Sequence, residues 1–314
     1  MLRAVPRDHL SSSAIGLHIE PAVAALQARH LAERPIAEVI EIGAGPDRPQ
    51  ASVVVPLGSD ADILRCRLGM LATDPTMRGV EIVHVLEAPQ QRVAVERSLR
   101  ALNAAYGVAC RLVVMPGRFH GGAALNAGAL AARAPLLVFL GADVVPEEAG
   151  WLDRLTTFLA DHPRCGVAGT RLVFEDRSLA NAGATLTSVR GGWDVMRLCR
   201  GFPRDFGAAA GDAKVDVVLA GCLAIGRSLF ERVGGFAEDY LSPLYRDADL
   251  CLRVAKADQE IWRVAEPALF QLGAEEVGDG ENDLRAELDR RALEQRWRLQ
   301  SDAQQTEPEQ TIGI

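Results

Sequence analysis

The chain has 314 residues, 34 Lys plus Arg against 42 Asp plus Glu, and a formal net charge of -8. A content of 48% apolar and 24% charged residues is that of a globular chain able to bury a core, which excludes bulk disorder. Lys214 and Lys256 are the only lysines, and no basic cluster offers a footprint for nucleic acid. The amino-terminal residues lack the continuous apolar stretch of a secretory signal. The longest apolar runs, residues 134–142 and 217–225, fall far short of the roughly 20 residues a membrane helix needs. A cytoplasmic location without a transmembrane segment is expected, with peripheral membrane association left open. Cys66, Cys110, Cys165, Cys199, Cys222 and Cys251 form no CxxC pair, so they read as reduced, mostly buried thiols.

Residues 1–50 differ in texture from the rest of the chain: they hold an amphipathic helix over 21–33 and a short apolar run over 37–42 ending in Gly43, Ala44 and Gly45. They are expected to form an extension of unknown role. From Ala51 the pattern becomes regular. Strands are predicted over 52–56, 80–86, 112–115 and 136–140, alternating with helices over 61–71, 93–106, 122–132 and 146–160. Short β-branched apolar runs between helix-period stretches indicate an α/β fold: a mainly parallel, Rossmann-like sheet with helices on both faces. In such sheets the ligand crevice lies at the carboxyl ends of the strands.

After Gly166 the alternation weakens, and residues 174–214, rich in Gly, Arg and Asp, read as an excursion such as a hairpin and a substrate-facing loop. A core strand over 215–225 comes next, then a helical turn over 228–233 closed by Gly234 and Gly235, a helix over 247–256 and a strand over 261–264. A charged amphipathic helix over 283–299 ends the expected domain, 51–299, and 300–314 reads as a flexible tail.

Two segments invite a functional reading. EVIEIGAGPD, residues 38–47, has the strand, acidic residue and glycine turn of a SAM-dependent methyltransferase. That motif needs a helix directly after the glycines, and too few residues precede the next strand for one to fit. Gly43 and Gly45 are therefore read as turn residues. The second segment begins at SVVVPLGSDADILRCRLGML, where a strand ends in Pro56 before a polar turn and a helix. It continues through RFHGGAALNAGALAARAPLLVFLGADVVPEEAGWLDRL, VVLAGCLAIGRSLFERVGGF, LYRDADLCLRV and RALEQRWRL. In this order the blocks resemble the family 2 glycosyltransferases, inverting enzymes of the GT-A fold that use nucleotide-sugar donors, over about 52–299.

The resemblance implies sugar transfer to a saccharide or lipid-linked acceptor, as in polysaccharide biosynthesis. Asp247 falls where the family carries its general base, with Arg246 in place of the usual Glu. The loop that normally supplies Asp-x-Asp for Mg²⁺ or Mn²⁺ reads Gly141, Ala142, Asp143, so one carboxylate remains. Read from the residues alone, Asp143 and Asp247 would instead cap the helices that follow them. Pro56, Glu87, Asn126 and Asp143 are the donor-side candidates, Glu87 by a one-residue shift from Leu86. Asn126 would act with Gly128 at a helix start that favours an anion, or else fix a turn. Gly221, Cys222 and Asp249 are the acceptor-side candidates.

All six histidines precede residue 163, so the late metal-contacting His of the family is replaced by Gln271, a weak neutral ligand. The cation site is incomplete. Metal-independent donor binding is the other expectation, with Arg190, Arg197, Arg200 or Arg204 on the diphosphate. Trp193 and Trp262 offer rings for sugar stacking. The alternative to an enzyme is a catalytically inactive GT-A-like binding or assembly module.

Overall fold

Val53, Val54 and Val55 are all fully buried, which is the mark of a strand covered on both faces rather than on one. The computed structural model describes residues 15–32, 38–58, 61–117, 122–189, 192–272 and 284–304. In chain order these form α1 (Glu20–Ala32), β1 (Glu38–Ile42), β2 (Ala51–Pro56), α2 (Ala61–Thr73), β3 (Val80–Leu86), α3 (Arg92–Tyr106), β4 (Cys110–Val114), α4 (Ala123–Ala131) and β5 (Leu136–Leu140). Next come β6 (Val144–Pro146), α5 (Trp151–Asp161), β7 (Cys165–Val173), β8 (Leu179–Asn181), β9 (Ala184–Val189), β10 (Gly192–Arg197) and β11 (Ala213–Lys214). The chain closes with β12 (Cys222–Gly226), α6 (Arg227–Arg232), α7 (Pro243–Lys256), β13 (Glu260–Gln271) and α8 (Leu284–Gln304).

The main sheet runs β1-β4-β3-β2-β5-β12-β7-β13-β11. Strands β4, β3, β2 and β5 are mutually parallel, β12 is antiparallel to both β5 and β7, and β7 is parallel to β13. Strand β1 adds an antiparallel edge to β4. No helix lies between β1 and β2, as the rejection of a methyltransferase motif at Gly43 required. One core packs α4, α6 and α7 against Val54, Val83, Val85, Leu137 and Phe139; the other packs α2, α3 and α5 against Val53, Val55, Ile82, Leu112 and Val138. Neighbouring strand residues thus feed opposite faces.

Three expectations change. The helix predicted from Pro146 begins at Trp151, because Val144 to Pro146 pair with Leu269 to Gln271 of β13 instead. Asp143 is therefore not its cap; that position belongs to Gly150, whose φ of 77° suits glycine. The strand predicted over 215–225 contracts to β12, since the preceding residues cross as a buried loop in which Val217 bridges Ala184. Helix α7 starts a turn early, with Pro243 in its first turn, so Asp247 lies inside the helix rather than at its start.

The excursion contains the expected hairpin, β9 with β10. Its loop is pinned by Arg171, 3% exposed, which donates to the carbonyls of Ala265, Arg204 and Ala209 and to Glu266. Helix α8 reaches Gln304, into the stretch expected as a tail. No helix among the described residues is long and apolar enough to cross a membrane.

Candidate active site

A cavity of about 220 Å³ opens at the carboxyl ends of β2, β5 and β7, where Pro56, Leu140 and Leu172 line it. It gathers Asp143 from the loop after β5, Ala220 and Gly221 from the turn into β12, Arg246 and Asp247 from α7, Gln271 from the end of β13, and Arg197 from the end of β10. Five residues singled out in sequence thus meet in one place: Pro56, Asp143, Gly221, Asp247 and Gln271. A larger cleft of about 620 Å³ lies among Arg171, Arg177, Arg204 and Glu266. Its three arginines pair with Glu147 and Glu266, and Asp176 and Asp205 also line it, so it forms an ionic staple for the excursion.

Asp247 is 2% exposed. Its Oδ2 accepts from the Ala220 amide at 2.8 Å, and its Oδ1 accepts from Arg246 through Nε at 2.8 Å and Nη2 at 2.7 Å. A carboxylate offers about four acceptor positions, so this set leaves one on Oδ2. Burial raises the Asp247 pKa above the usual aspartate value, and the Arg246 charge opposes that rise without cancelling it. Arg246 is itself fixed over the Phe236 ring, 5.1 Å from its centroid.

Asp143 accepts at Oδ2 from Gln271 Nε2 at 2.9 Å. Beneath it lies Arg67, 1% exposed, donating to the carbonyls of Val144 (2.9 Å) and Ala142 and so clamping the loop that carries Asp143. Burial lowers the Arg67 pKa to about 10, with Asp143 as the main opposing charge. Sequence reasoning missed Arg67. The signal was present, because Arg67 shares its phase on α2 with Leu64, Leu68 and Leu71, where a cation needs a reason to be buried.

A hard divalent cation takes about six oxygen ligands. Here the amide N–H of Gln271, rather than its carbonyl, faces Asp143. A Cβ at Gly141 would stand 2.9 Å from Asp143 Oδ1, so a first carboxylate there would require the Asp143 side chain to shift. Among the described residues no group of three or more His, Cys, Asp or Glu could hold a metal ion. The described residues do not fit the cation of the family pattern.

Four other candidates are placed elsewhere. Asn126 spends its amide on the turn after α6: Nδ2 donates to Phe236 O and Glu238 Oε1, and Oδ1 accepts from Phe236 N. Its expected donor role gives way to fixing that turn. Gly128 explains the rest of the motif, since a Cβ there would lie 2.3 Å from Val54 Cγ1 and hold α4 off the sheet. Asp249 is fully buried and filled: Oδ2 accepts from Arg253, and Oδ1 from Trp297, Arg296 and Tyr240. It anchors α8 and is not on the acceptor side. Cys222 is 1% exposed on β12, its thiol pushed up to about 11 by burial, and does not line the cavity.

Glu87, half-buried after β3, does not line the cavity either. Of the arginines, Arg204 pairs with Glu147 and Glu266, Arg200 lies over Phe174, Arg190 falls outside the described residues, and Arg197 reaches the cavity. Trp262 packs against Phe158 in the core, whereas Trp193 is 38% exposed on the hairpin.

Residues 95–233 match the sequence profile of Glycosyl transferase family 2. The chain is 24% identical over 237 residues to "Uncharacterized protein y4gI" of Sinorhizobium fredii, a match over 68% of this chain and 23% of that protein. It is 27% identical over 199 residues to "O-antigen biosynthesis protein RfbC" of Myxococcus xanthus, over 61% and 15% respectively. The chain thus spans less than a quarter of either relative's length. Among solved structures, a mannosyltransferase from Pyrobaculum calidifontis in complex with GDP-Man and Mn²⁺ superposes with a TM-score of 0.51 at 19% identity, covering 82% of this chain and 65% of that one. GalNAc-T7 with UDP, GalNAc and Mn²⁺ superposes with a TM-score of 0.56 at 14% identity, covering 73% and 45%. Residues 95–233 thus match glycosyl transferase family 2, and the sheet that carries them has the fold of the solved glycosyltransferases.

Proposed function

We propose that this chain transfers a sugar from a nucleotide-sugar donor to a hydroxyl of a saccharide or lipid-linked acceptor, with inversion at the anomeric carbon and Asp247 as general base. The observation that carries the reading is the convergence of Asp143 and Asp247, from separate loops and helices, on one cavity at the strand ends. The family match and the donor complexes of the two solved structures support the donor class, and the O-antigen relative supports a polysaccharide context.

The acceptor oxygen attacks the anomeric carbon from the face opposite the diphosphate, its proton passes to Asp247 Oδ2, and the departing C–O electron pair stays on the nucleoside diphosphate. Pro56 and Asp143 form the donor side. Gly221 lets the turn into β12 pack closely at the acceptor-side wall, because a Cβ there would lie 2.5 Å from Leu172 Cδ1. The Ala220 amide and Arg246 hold the base in one orientation, and its raised pKa makes it a stronger proton acceptor.

The test is nucleotide release from UDP-, GDP- and dTDP-sugars. Asp247→Asn is expected to lower turnover by about 10²- to 10⁴-fold, and equal rates would remove Asp247 from the mechanism. The Arg246–Asp247 pair also favours a second reading, a binding module, for which nucleotide would bind without turnover.

A further inference from the structure

We propose that this cavity neutralises the departing nucleoside diphosphate with arginine, Arg197 foremost, in place of a divalent cation. The inference rests on the glycosyl-transfer reading and says which groups meet the donor's charge. Against a cation stands the donor set: a carboxylate at Asp143 already receiving an N–H from Gln271, a glycine at 141 that supplies no second carboxylate, and no group of three metal-holding side chains among the described residues. Asp247 already holds Arg246 and the Ala220 amide, which leaves it a single acceptor position.

For arginine stands the charge count. Arg197 and Arg246 line the cavity with Asp143 and Asp247, and Arg67 lies directly beneath Asp143. The two guanidinium groups and two carboxylates of the lining balance, and the buried Arg67 beneath them adds one positive charge. When Asp247 takes the acceptor proton the balance rises to two positive charges, at the moment the breaking C–O bond delivers its electron pair to the diphosphate.

Arg67 lies under the Asp143 loop, Arg246 is paired with Asp247, and the charge of Arg197 also acts on Asp247. Arg197 is the one carried in from the excursion. It sits opposite Ala184 in the hairpin, and the next residue, Leu198, donates its amide to Gly183 O, so its backbone is held at the cavity mouth. A planar guanidinium presents two parallel N–H groups to phosphate oxygens, which an ammonium does not. The site therefore takes its phosphate ligand through a fork that only Arg supplies.

The experiment is calorimetry of UDP, GDP and dTDP against the full chain, in EDTA and in Mn²⁺, with wild type, Arg197→Ala, Arg197→Lys and Arg204→Ala, each shown to be folded by its melting curve. One nucleotide is expected to bind in EDTA with an affinity that Mn²⁺ does not change. Arg197→Ala should weaken it about 10- to 100-fold, Arg197→Lys less, and Arg204→Ala not at all. Binding that requires Mn²⁺, or wild-type affinity in Arg197→Ala, overturns the proposal while leaving glycosyl transfer intact. No binding of any nucleotide in either condition by the folded chain overturns the glycosyl-transfer reading, and the proposal falls with it.

Discussion

Asp247 and Asp249 stand two residues apart on α7, both buried, and serve two different regions of the molecule. Asp249 sits in an ionic hub under α8, where Arg253, Arg296, Trp297 and Tyr240 all donate to it. Asp247 faces the cavity, with one strong ion pair, one amide and one acceptor position left over. A buried carboxylate with every acceptor filled is spent on architecture; one with an acceptor position in a cavity is available to a substrate hydroxyl. The difference shows why burial and charge alone do not identify a catalytic group.

The contrast can be broken most forcefully at the hub. Asp249→Ala leaves several buried donors without their carboxylate and is expected to cost about 3 kcal/mol or more in denaturant unfolding. Turnover should fall only as the folded fraction falls. A folded Asp249→Ala protein without turnover would move Asp249 into the chemistry. Gly128→Ala should cost about 2 kcal/mol by overpacking against Val54 and Val85, with the nucleotide affinity of the folded fraction unchanged. Altered affinity there would return the Asn126 helix start to the donor site.

His84 sharpens the contrast with a third case, a buried polar group with no partner for either ring nitrogen. Burial, aided by Arg67, drops its pKa to about 3 in the fold, well below the ordinary histidine value of 6.5. The unfolded chain takes up the proton first as pH falls. The stability linked to neutral His84 is therefore fully present above about pH 6.5 and is lost progressively as pH falls toward 3, by on the order of 1.4 kcal/mol per unit. His84→Leu should flatten that part of a pH–stability curve; an unchanged acid slope would refute the assignment.

How legible the molecule was from sequence divides along the same line. Strands β2 to β5 and their helices announce themselves because each is a continuous apolar run between local turn signals. Strand β7 does not, since Gly166, Gly169 and Arg171 interrupt its apolar pattern. Those residues make sense only in three dimensions: a Cβ at Gly169 would lie 2.8 Å from Val218, and Arg171 collects carbonyls from the excursion. Strand β6 was hidden for a similar reason, because Val144 to Pro146 become a strand only by pairing with β13.

Within the site, Asp143, Asp247 and Gln271 could be placed by order along the chain. Their partners could not. Nothing local distinguishes Arg197 from Arg200 and Arg204, and their fates part only when the hairpin and the ionic staple fold. Asn126 was ambiguous because a short helix start looks the same whether its side chain meets an anion or a neighbouring turn.

The most direct test of arginine-for-cation glycosyl transfer is a crystal structure of the full chain with a nucleoside diphosphate, grown in EDTA and, in parallel, with Mn²⁺. The diphosphate is expected in the cavity between Pro56 and Gly221, hydrogen-bonded to Arg197, in the same place in both crystals. A nucleotide bound away from Asp143 and Asp247, or a Mn²⁺ ion joining Asp143 to the diphosphate, would contradict it.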